Sequence, residues 1–92
     1  MGRQILRLYF RTYPEDLWVG ECIELDVASG GETEAQARER VEEATRLFLS
    51  TVAEHGDLDR VLAENGVRIT EEGEPSIGHI EESSMPLPAG SA

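Results

Sequence analysis

Ninety-two residues, 39% of them hydrophobic and 29% charged, describe one compact domain and leave no room for a second core of comparable size. No apolar run approaches the roughly 20 residues that cross a bilayer, and Met1-Gly2-Arg3-Gln4 leads into no signal-peptide core, so no membrane contact is expected and the expected compartment is the cytoplasm. A net charge of −11, from 19 acidic and 8 basic residues, opposes direct binding to a phosphate backbone and suits a basic protein partner; so small a chain is also expected to gain stability as a homodimer or higher oligomer.

Gln4 to Thr12 alternates apolar and polar residues at a period of two and reads as a first strand. Leu6, Leu8 and Phe10 make its apolar face. The other face carries Arg3, Ile5, Arg7, Tyr9 and Arg11, long side chains suited to an oligomer interface. Residues 1–12 contain no acid, so all of the negative charge lies after this strand. Tyr13-Pro14-Glu15-Asp16 is expected to be a turn, since proline fixes φ, and Leu17 to Leu25 a second strand. Both faces of that strand are partly apolar, so pattern alone does not decide which meets the core. Asp26 to Ser29 reads as a short third strand ending at Gly30-Gly31.

Thr33-Glu34-Ala35-Gln36 is a capping box, and a helix is expected to start there. Ala37, Val41, Ala44, Phe48 and Val52 recur at spacings of three and four and predict its buried stripe. Arg38, Glu39, Glu42, Glu43 and Arg46 lie on the other side, which is solvated; Leu47 and Leu49 fall off the stripe and point to a second contact. His55-Gly56 fits the helix end. Asp57 is expected to cap a shorter helix through Leu58, Val61 and Leu62, stopped by Asn65-Gly66, and Val67 to Thr70 to form a fourth strand. Residues 71–92, rich in Glu, Pro, Gly and Ser, have the composition of a tail that orders only on a surface. The domain is therefore expected to span 1–70 and the tail 71–92.

No catalytic cluster emerges. His55 and His79 are 24 positions apart with no second histidine or cysteine at ligand spacing, so neither a metal nor any other cofactor is expected. The single cysteine, Cys22, cannot form an internal disulfide and reads as a small buried hydrophobe. Gly30-Gly31 precedes a helix, but with no lysine anywhere in the chain it is a turn element rather than a phosphate loop. Enzymatic activity is not expected.

The run from Trp18-Val19-Gly20-Glu21-Cys22-Ile23-Glu24-Leu25 through Gly31-Glu32-Thr33-Glu34-Ala35-Gln36-Ala37 resembles the core of the HicB antitoxin family, with Leu47-Phe48-Leu49 standing at the helix end. The similarity covers about residues 4–70. It implies an α+β fold of truncated ribonuclease-H type: an antiparallel sheet of three to four strands, one long helix on one face and a second short helix, in the order β-β-β-α-α-β. It also implies a role, to bind and silence a small basic mRNA-cleaving toxin of the HicA family, which an acidic surface suits. The candidate partner face is Glu15, Asp16, Glu21, Glu24 and Asp26. Two positions depart from the family pattern: Ile23 replaces the proline usual before Glu-Leu, and the acidic residues after Thr70 replace a DNA-binding segment. A first strand without any acid also disfavours metal-dependent nuclease chemistry. The competing expectation is an orphan structural module that self-associates through its arginine-bearing strand and has no toxin partner.

Overall fold

The structure, a computed structural model, describes residues 4–71 and 82–86. The chain folds as α+β in the order β1 (Gln4–Pro14), β2 (Trp18–Cys22), β3 (Val27–Gly31), α1 (Glu34–Glu54), α2 (Leu58–Glu64) and β4 (Arg68–Glu71), followed by β5 (Glu82–Pro86). The sheet is antiparallel in the order β3-β2-β1-β4, and β5 also pairs with β1. The eleven residues of β1 make it the organising strand. Residues 10–14 pair with β2, while Ile5, Leu6 and Arg7 have neighbours on both edges, in β4 and β5. Thus part of the segment with tail composition joins the same sheet as the 1–70 domain.

The even-numbered face of β1 is the core face: Leu6, Leu8 and Phe10 are buried together with Cys22, Val41, Leu49, Leu58 and Leu62. This settles which face of β2 turns inward. Gly20 and Cys22 lie under the helix, and Gly31 of β3 joins them. A methyl on Gly20 would sit 2.5 Å from the Ala37 carbonyl oxygen and 2.9 Å from Val41 Cγ1; one on Gly31 would sit 2.5 Å from the Ala37 amide. Missing side chains at these two positions let α1 rest directly on the sheet. The glycines expected to end β3 are therefore part of it.

Helix α1 starts as its sequence predicts. The Thr33 hydroxyl accepts from the Gln36 amide at 3.1 Å, and the Gln36 side chain accepts from the Glu32 amide at 2.7 Å, one residue before the reciprocal partner of a standard capping box. It ends with Gly56 at φ +75°, the Gly56 amide bonding Ala53 and the Asp57 amide bonding Val52. Gly66 and Val67 end α2 in the same way, on Ala63 and Leu62.

Several details differ from the periodicity. The buried line on α1 is Ala37, Val41, Thr45, Leu49 and Ala53 rather than the stripe through Ala44, Phe48 and Val52. Thr45 hid this line because it is polar by type, yet its hydroxyl donates to the Val41 carbonyl at 2.7 Å and its methyl packs like that of valine. Leu49 is core, whereas Phe48 is 39% and Leu47 63% exposed. Asp57 makes no capping bond and instead faces Arg60 at 3.5 Å. Strand β1 runs on to Pro14, which pairs with Trp18, and β2 stops at Cys22 because residues 23–26 turn, with Asp26 at φ +56°.

Candidate interaction surfaces

The turn after β2 is fastened by a side chain. Ile23 donates its amide to the Tyr9 carbonyl at 2.9 Å, and the Tyr9 amide is left to the Glu24 carboxylate, at 3.0 and 3.3 Å. Glu24 thus replaces the main-chain acceptor that β2 withdraws when it turns away. A carboxylate accepting from a half-buried amide is a charge-assisted bond that fixes the turn. Glu21 is engaged as well: Arg11 reaches its Oε1 at 2.8 Å through Nη2 and 3.1 Å through Nε, and the Arg11 guanidinium lies 5.6 Å from the centre of the Tyr13 ring.

The five candidate acids therefore divide. Glu15 and Asp16 are exposed in the β1–β2 turn, Asp26 is exposed in the β2–β3 turn, and Glu21 and Glu24 are half-buried and bonded within the chain. Strand β2 separates the two turns by about 17 Å, five residues at roughly 3.4 Å each. The fold presents two acidic ends of one hairpin rather than one cluster.

The odd face of β1 also divides. Ile5 and Arg7 are 8% and 7% exposed, and Arg7 Nε donates to Thr70 Oγ1 at 2.8 Å, so this end of the face is used inside the chain. Tyr9 is half-buried and Arg11 exposed, beside Tyr13 and Val19, on the side of the sheet away from α1. Arg3 lies outside the described residues, as does His79. Among the described residues no three His, Cys, Asp or Glu side chains come together where an ion could be held, and no helix is long and apolar enough to cross a membrane.

Cys22 is fully buried. Burial pushes its thiol above the ordinary value of 9.0, the Glu24 charge adds to the effect, and hydrogen bonds at Leu25, Thr45 and Glu24 oppose it. A thiol in this state is a packing group and a poor nucleophile.

One feature left no trace in the sequence pattern. In β2 the odd residues bond towards β1, as the Ile23–Tyr9 bond sets the phase, so β3 bonds β2 through Val27, Ser29 and Gly31 and turns the polar groups of Ala28 and Gly30 outward. Arg40 of α1 donates through Nη1 to the Gly30 carbonyl at 3.0 Å. It occupies an edge acceptor that another strand could otherwise use. Compared with family models, with curated proteins and with solved structures, the chain matches none.

Proposed function

We propose that the protein is a non-catalytic, antitoxin-like binding module of the HicB type, acting in the cytoplasm as a homodimer or higher oligomer to neutralise a small basic HicA-type mRNA-cleaving toxin. The observation that carries this reading is the place taken by the run Trp18–Ala37, which bears the resemblance. It folds as β2, β3 and the first turn of α1, with Gly20 and Gly31 at the helix contact and Thr33 and Gln36 at the cap. Of these positions Gly31, Thr33 and Ala37 match the family pattern, and they lie where the helix is capped and meets the sheet.

Recognition rests on charge. With a net charge of −11, the chain attracts a cationic protein over a distance of about a Debye length, roughly 8–10 Å at ordinary salt, and competes there with RNA. Glu15 and Asp16 at one hairpin end and Asp26 at the other are the exposed members of the candidate face. Glu21 and Glu24 support it from within, by holding Arg11 and the Tyr9 amide.

The test is an RNA-cleavage assay with the small basic protein encoded beside this chain. Adding the chain in equimolar amount is expected to stop cleavage, and Glu15→Lys with Asp16→Lys to weaken that protection. Cleavage that continues undiminished, or cleavage by this chain itself, contradicts the proposal.

A further inference from the structure

We propose that α1 is a self-association surface on which a second copy of this chain docks its own α1, antiparallel, about a two-fold axis at Leu47. Arg40, Ala44, Leu47, Thr51 and Glu54 are spaced by four, three, four and three residues, so they form one continuous seam along the helix. At 100° per residue this seam is centred some 140° from the buried line through Ala37, Val41, Thr45, Leu49 and Ala53, and so it faces away from the sheet. Leu47, at its centre, is 63% exposed, and Phe48 beside it is 39% exposed. Thr51 spends its hydroxyl on the Leu47 carbonyl at 3.0 Å, which leaves its methyl to the seam.

Charge selects the occupant. Folding the seam back on itself at Leu47 brings Arg40, whose Nη1 also donates to its own chain's Gly30 carbonyl at 3.0 Å, level with the partner's Glu54, twice by symmetry, and places Ala44 near the partner's Thr51, so no like charges meet along it. A parallel copy in register would put Arg40 on Arg40 and Glu54 on Glu54. Antiparallel helices also oppose their dipoles favourably. The same patch thus meets itself, as a closed two-fold dimer requires. This inference does not depend on the antitoxin reading and uses neither Glu15 and Asp16 nor the odd face of β1.

The experiment is sedimentation of the full chain over a concentration series around 1–100 μM. The wild type is expected to dimerise. Leu47→Glu is expected to weaken dimerisation at least about tenfold, as is Glu54→Arg, which would set arginine against arginine. Exchanging both charges, Arg40→Glu with Glu54→Arg, is expected to restore it. Circular dichroism confirms that each variant is folded. As a second readout that does not depend on weakening the interface, Leu47→Cys is expected to give a covalent dimer on mild oxidation, since Cys22 is buried. A wild-type monomer at 100 μM, a dimer indifferent to Leu47→Glu and Glu54→Arg, open-ended assembly, or failure of the double exchange to restore association would each overturn the proposal.

Discussion

At the scale of single residues, the tightest constraint is the space above Gly20 and Gly31. Gly20→Ala is expected to cost about 1–3 kcal/mol, because the obstructing atom is main-chain oxygen that cannot rotate away. Gly30→Ala, where the added methyl meets only the Trp18 oxygen at 3.7 Å, is expected to stay within about 0.5 kcal/mol. Urea unfolding midpoints of the two variants check the contrast; equal losses would mean that α1 does not rest on Gly20. Glu24→Ala is expected to cost about 1–2 kcal/mol, through the Tyr9 amide it leaves without its acceptor. Cys22 adds a pH dependence of definite sign. Its folded pKa is raised, so the unfolded chain loses the thiol proton first; the contribution is intact below about pH 9 and is lost as pH rises further. Melting temperatures followed from neutral pH to about pH 10 should therefore fall more steeply for the wild type than for Cys22→Ala. Parallel curves would show that the thiol is not held in its neutral form.

At the scale of elements, the chain announced most of its architecture through short-range chemistry. Thr33, Gln36, Gly56 and Gly66 mark helix ends because capping is local, and the alternation of β1 marks its core face because strand geometry has a fixed period. Three features were not legible. Thr45 counts as polar in any periodicity, so beyond Val41 the expected stripe runs one position before the buried line, which Thr45 joins with its hydroxyl bonded to its own helix. Glu24 looked like one acid among nineteen, since nothing in its spelling reveals the Tyr9 amide fifteen residues earlier. The pairing of β5 with β1 joins residues nearly eighty positions apart, beyond the reach of any local signal. The corrected stripe has its own check. Leu49→Ala is expected to cost about 2–5 kcal/mol, whereas Thr45→Val, which keeps the volume and removes the bonds to the Val41 carbonyl and the Cys22 thiol, is expected to cost about 1 kcal/mol. Chemical denaturation of both separates the observed line from the one through Phe48.

At the scale of the whole molecule, one sheet face is spent on folding and the remaining surface is strongly acidic. The core joins α1, α2 and the even side of β1, so exposed chemistry lies on the hairpin ends, the far sheet face and the outer side of α1. Nothing in this distribution gathers acid and histidine groups into one described cleft, while the charge gives a long-range pull on cationic proteins. The acidic balance and the family-like run are what motivate the proposed binding role, but they do not locate a contact, because β2 sets the candidate acids at opposite ends. The most direct measurement is calorimetric titration of the chain with the small basic protein encoded beside it, at low and at high salt. Saturable binding whose affinity falls as salt rises is expected; no heat at either salt, with both proteins folded, would contradict a toxin-binding role.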